Sequence, residues 1–221
     1  MREAYREQLD DITARLVGMT RQAGEQIRTA TAALLGADLE LAEQVVAADS
    51  GMNRAQLEID EQVLELMATQ GPVASELRVV TSALRTTSDA ERMGDLAVHV
   101  AKVARMRYPD NAVPEELRDT FAAMGRTAED MAAKAGAVLR SRDLSTAAEL
   151  AFDDNEMDQL HRSLFQSVLD DSWDRGIEAA VDIALLGRYY ERFADHAVEI
   201  STNVRYLVTG EIEWADTAPG R

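Results

Sequence analysis

The chain has 221 residues, 46% of them hydrophobic but only 5% aromatic, so Ala, Leu, Val and Met must fill its core, a palette that favours helices over sheets. It contains no cysteine, which excludes disulfides, thiolate metal sites and cysteine nucleophiles. A formal net charge of −17 repels phosphate backbones, so nucleic acid is excluded as a partner and cations or basic protein surfaces are favoured.

The charged N-terminus, Met1-Arg2-Glu3-Ala4-Tyr5-Arg6-Glu7, has no apolar stretch of the signal-peptide kind. No run of about 18 apolar residues follows, so no membrane insertion is expected, and a cytoplasmic protein is. Pro72, Pro109, Pro114 and Pro219 fall between segments of helical periodicity. The spacing predicts a first helix over 3–35, ending at Gly36, and a second from an Asp38 N-cap to Gln70-Gly71. Pro72 suits the first turn of a third helix, which carries the stripe Val73, Leu77, Val80, Leu84 and runs to Arg107. Residues 108–114 are a linker. A fourth helix covers 115–140, a fifth runs from Asp143 to Asp171, and a sixth from Trp173 to Thr209, stopped by Gly210. Residues 211–221 read as a loose tail.

The chain repeats itself. Asp38, Leu39, Ala42, Asp49 and Met52 recur 105 positions later as Asp143, Leu144, Ala147, Asp154 and Met157, with Asn53 becoming Asp158. Glu91-Arg92-Met93-Gly94-Asp95 recurs 100 positions later as Glu191-Arg192-Phe193-Ala194-Asp195. The expected fold is therefore all-α, with two pseudo-symmetric antiparallel three-helix bundles, 1–107 and 115–210, packed together.

Glu91 and Asp95 are four apart on a helix and share a face, as do Glu191 and Asp195. Leu77, Val80 and Leu84 point into the sector of the first pair, and Ile177, Val181 and Ala184 into that of the second. Acids that continue an apolar stripe need a partner, a proton or a metal. Folding the second and third helices about Gly71 brings Asp49/Asn53 level with Glu91/Asp95. The same hairpin in the second half brings Asp154/Asp158 level with Glu191/Asp195. Oxygen donors without thiolates suit Mg, Mn, Ca, Fe or Zn. His99, four past Asp95, and its repeat counterpart Glu199 are further candidate ligands. The competing reading is an ion-pair network, for which Arg188, Arg78 and Arg85 are available. His161 and His196 are weaker candidates, one beside the apolar stripe of Leu150, Met157 and Val168, the other pointing away from Asp195.

At these motifs, at the lead-ins Val79-Val80-Thr81-Ser82-Ala83-Leu84 and Ile183-Ala184-Leu185-Leu186-Gly187-Arg188-Tyr189-Tyr190, and at the closing Val204-Arg205-Tyr206-Leu207-Val208-Thr209-Gly210, the sequence resembles the PhoU family over roughly 5–210. The resemblance implies multinuclear metal clusters on the two sets of acids, holding Fe, Mn, Mg or Zn, with Asn53 weakening the first. It also implies a non-enzymatic homodimer at the inner face of the membrane. There it would link the ATPase subunit of the Pst phosphate ABC transporter to a PhoR-type sensor histidine kinase and restrain both when phosphate is plentiful. Two other classes use helical bundles. His99-Val100-Ala101-Lys102 has the H-x-x-K spacing of histidine phosphotransfer domains, but Val103 replaces the small residue that usually follows. Di-iron carboxylate enzymes need Glu-x-x-His pairs, and the sequence has none.

Overall fold

A computed structural model describes residues 2–211; the expected tail beyond 211 lies outside the described residues. Six long helices account for nearly all of it: α1 (Arg2–Gly36), α2 (Leu39–Gln70), α3 (Ser75–Arg107), α4 (Arg118–Ser141), α5 (Leu144–Val168) and α6 (Gly176–Thr209), with a 3-10 turn at Glu115–Leu117 before α4. No strand occurs among the described residues.

Local chemistry sets the ends. The Asp38 carboxylate accepts the Leu41 N–H at 3.0 Å, and Asp143 accepts the Ser145 N–H at 2.9 Å, so α2 and α5 start on repeat-related caps. Gly71 and Gly210 end α2 and α6 in the left-handed conformation, at φ 55° and 76°. Three expected ends are corrected. Pro72 is not in the first turn of α3, because Ala74 adopts φ 49°, ψ −113°, outside any helix, so 72–74 belong to the hairpin loop. The fifth helix stops at Val168 instead of Asp171. The Asp170 carboxylate accepts both the N–H and the hydroxyl of Ser172, a local turn that competes with continued helix. The sixth begins at Gly176, after that turn, instead of at Trp173.

Each half is an antiparallel three-helix unit, α1–α3 and α4–α6. The units meet along α1 against α4 and α3 against α6, so these four helices share the central core while α2 and α5 lie outside. The pattern of buried and exposed positions over 81–100 recurs over 181–200 everywhere except at 81/181 and 98/198. At the α1–α4 contact a β-carbon on Gly136 would lie 2.8 Å from the Thr20 hydroxyl, and one on Gly125 would lie 2.6 Å from a Thr31 methyl. Adding 105 to 20 and to 31 gives 125 and 136, so the two contacts are images of each other. The pseudo-twofold axis passes between them.

The same offset relates Gln26 to Met131, which is fully buried. Gln26 is 5% exposed, and neither atom of its amide has a hydrogen-bond partner; the amide oxygen instead faces Gly94. A buried, unsatisfied amide costs about 1–3 kcal/mol. Gln26→Met, borrowing the residue of the other repeat, is expected to raise the melting temperature by a few degrees in thermal denaturation.

Candidate functional site

The hairpins bring Asp49 of α2 toward Glu91 of α3 and Asp158 of α5 toward Glu191 of α6. On α3, Glu91 keeps 14% of its side chain exposed and Asp95 28%. Burial raises the Glu91 proton affinity first; the charges of Asp95 and Asp49 raise it further, and Arg92 and His196 oppose this. Asp49 is therefore within electrostatic reach of the α3 pair, from α2, where it accepts a long hydrogen bond, 3.5 Å, from the Asn53 amide. Arg92 reaches Asp95 at 2.9 Å and Glu91 at 3.7 Å.

The second repeat matches it with different counter-ions. Glu191 is 12% exposed. Burial pushes its carboxyl up, and the negative charges of Asp195 and Asp158 add to this. Arg188, one turn earlier, binds both oxygens of Glu191. Asp154 lies half-buried one turn before Asp158 on α5. Thus Glu191, Asp195 and Asp158 come together across α5 and α6, as Glu91, Asp95 and Asp49 do across α2 and α3. Arg92 and Arg188 pair with these acids, as the ion-pair reading of the sequence expects. Among the described residues no group of three His, Asp or Glu side chains stands close enough together to hold a metal ion.

In kind, though not in spacing, the donors are those a hard cation takes. The carboxylates are partly desolvated, and the neighbouring aspartates add to the rise in proton affinity of Glu91 and of Glu191.

His99 and Glu199 occupy a different environment from these pairs. The His99 ring stacks on Tyr189 of α6, with centroids 5.1 Å apart. Glu199, its image, is raised in proton affinity by burial and then by Asp89. Asp89, the image of Tyr189, accepts from the Asn203 amide at 3.0 Å and lies 3.2 Å from Nδ1 of His196. Sequence reasoning passed over Asp89 because its repeat partner is not acidic. His196 thus joins the seam between the repeats, and His161 packs into the α5–α6 contact. The His161 ring lies against Gly187 and meets Phe165 edge-on, its Nε2 has no partner, and burial lowers its proton affinity.

One feature of the stripes is corrected. Val80 is buried, but Val73, Leu77, Ile177 and Val181 are exposed. The apolar rows leading to the acids turn outward near the hairpin tips instead of into the core.

The description of the PhoU domain matches the chain twice, at 16–104 and at 121–204, once on each three-helix unit. The chain belongs to the PhoU family. It is 46% identical over 220 residues to the phosphate-specific transport system accessory protein PhoU homolog 1 of Mycobacterium leprae, covering 100% of this chain and 99% of that one. It is also 46% identical over 210 residues to PhoU homolog 2 of Mycobacterium tuberculosis, covering 95% and 99%. A crystal structure of PhoU from Pseudomonas aeruginosa superposes with a TM-score of 0.82 at 29% identity, over 94% of this chain and all of that one. The phosphate transport system regulatory protein PhoU of Streptococcus pneumoniae gives 0.85 at 27% identity, over 95% of this chain and all of that one. The family so shown is the one that the sequence motifs resemble.

Proposed function

We propose that this chain is a non-enzymatic accessory regulator of phosphate-specific transport. In this reading it is a cytoplasmic homodimer that restrains a Pst-type ATPase subunit and keeps a PhoR-type sensor kinase from signalling starvation when phosphate is abundant. The family match across both repeats supports the regulatory role. No described helix is long and apolar enough to cross a membrane, which suits a protein that reaches a transporter through its partners.

We propose further that the two sets of acids bind divalent or transition metal, such as Fe, Mn, Mg or Zn. The observation that carries this is the repetition of a half-buried Glu-x-x-x-Asp pair whose glutamate gains proton affinity at both sites. A bound cation would supply positive charge that bridges α2 to α3 and α5 to α6. The protein's own part is to hold the oxygens close, to limit their hydration, and to shield their repulsion with Arg92 and Arg188 when no cation is there.

A strain lacking every copy of the family is expected to keep its high-affinity phosphate-uptake transcripts high in phosphate-rich medium. Repression there overturns the regulatory reading. For the metal, elemental analysis of protein purified without chelator is expected to find a divalent ion, and chelator to lower the melting temperature reversibly. Glu191→Gln with Asp195→Asn is expected to abolish the part of that drop owed to the second site. If the acids served only as ion-pair partners, the same variant would be destabilised equally with and without chelator, because Arg188 loses its partner.

A further inference from the structure

The outward-turning stripe of the second repeat is the strongest unexplained surface. Ile177, Val181 and Leu185 are spaced by four on α6 and remain 84%, 50% and 44% exposed. Across the hairpin, Phe165 of α5 and Leu169, which caps that helix one turn later, are 41% and 78% exposed. Both rows belong to the same hairpin. His161 touches Phe165 and Gly187, and Asp158 lies near enough to Glu191 to shift its proton affinity, so the 158–161–165 edge of α5 runs beside the 187–191 segment of α6.

The internal repeat supplies a control. Subtracting the offsets of 105 and 100, the same five positions in the first half are Asp60, Leu64, Leu77, Thr81 and Arg85. The scaffold tolerates polar residues at three of these places, yet the second repeat is apolar at all five. The first hairpin exposes Leu64 and Leu77 but is polar at Asp60, Thr81 and Arg85, so the second presents the more extended apolar surface, and such a surface marks a contact.

Its rim says what the contact is. The hairpin carries Asp170, Asp171, Asp174 and Glu178 with one cation of its own, Arg175, which is engaged by Glu116 at 3.0 and 3.2 Å, while Arg107 of α3 pairs with Glu178 and leaves the three aspartates as the excess negative charge of the rim. A second copy would bring one acidic rim against another, and an anionic bilayer would be repelled in the same way. We propose that the outer face of the α5–α6 hairpin docks a basic amphipathic helix of a partner protein. Its apolar side would lie on Phe165, Leu169, Ile177, Val181 and Leu185, and its Lys and Arg residues would meet the acidic rim. The row from Ile177 to Leu185 extends about 12 Å, the length of two to three turns of the incoming helix. The proposal does not depend on whether the neighbouring acids take a metal.

The test uses the full chain and a synthetic 18-residue Leu/Lys peptide with leucines at helical spacing, followed by fluorescence anisotropy. Leu169→Ser with Ile177→Ser is expected to weaken binding at least tenfold while leaving the melting temperature near wild type, since both side chains are exposed. Leu57→Ser with Leu64→Ser, at exposed leucines of α2, is expected to leave binding unchanged. A Leu/Glu peptide is expected not to bind. Equal losses in the two double variants, or none in the first, overturn the proposal. So does a dimer in sedimentation that the Leu169/Ile177 variant splits, which would make the face a self-contact. Adsorption of wild type but not of that variant to phosphatidylglycerol vesicles would assign the face to a membrane and overturn it too. Methyl resonances give an independent reading: the peptide should shift Ile177 and leave Ile12 and Ile27, buried in α1, in place.

Discussion

Gly125→Ala is expected to lower the melting temperature, and Gly18→Ala, the same exchange on the facing helix, to raise it. Both glycines lie inside long helices, where alanine is intrinsically better by about 0.8–1.0 kcal/mol. A β-carbon at Gly18 meets nothing within 4 Å, so only the helical gain remains. One at Gly125 would sit 2.6 Å from the Thr31 methyl and 2.7 Å from its hydroxyl. Thr31 cannot swing clear without loss, because its hydroxyl bonds the Ile27 carbonyl at 2.7 Å and lies 2.7 Å from the buried Tyr190 hydroxyl. Relief must come from parting α1 and α4, which hold the two repeats together. Overpacking of this kind costs about 1–3 kcal/mol, enough to outweigh the helical gain. The check is a pair of thermal melts under one set of conditions. A rise at both positions would mean that the α1–α4 contact is looser than its geometry shows.

The sequence carried the architecture through two kinds of signal, and the misses fall where neither operates. Helix spacing and the offsets of 105 and 100 located six helices and their pairing into two units. Periodicity reports that residues share a face; it does not report which way that face points. That is why the row Ile177–Val181 was legible as a stripe but not as an outward one. Small residues have no periodic signature, so the Thr20–Gly136 and Thr31–Gly125 contacts at the pseudo-twofold axis went unseen. A repeat marks only what the two halves share, so Asp89, whose image is Tyr189, stayed hidden. Arg188 stood out as a counter-ion because it precedes Glu191 by one turn. Arg92 did not, because it sits inside the motif beside Glu91, and only its side-chain path back to Asp95 reveals the pairing.

Arg107→Met is expected to destabilise the protein by several degrees, more than Asp182→Leu does, and the double variant is expected to recover most of the loss. Arg107 ends α3, and its Nε donates to the Asp182 carboxylate on α6 at 2.6 Å while its Nη1 bonds Glu178. The two partners are unequal. Asp182 keeps only 6% of its side chain exposed, whereas Glu178 keeps 76%. Removing the guanidinium strands a buried carboxylate between the repeats, and a buried charge left without its counter-ion is among the costliest single losses. Removing Asp182 instead leaves Arg107 with Glu178 and water. When both are apolar, no charge remains to be desolvated, and the introduced methionine can pack on the introduced leucine across the α3–α6 contact. The repeat-related positions, Leu207 and Ser82, hold no ion pair, so this clamp stands on one side of the pseudo-twofold axis alone. A double-mutant cycle by chemical denaturation measures the coupling. Additive losses, or a larger loss from Asp182→Leu than from Arg107→Met, would show that the pair does not hold the α3 terminus to the second repeat.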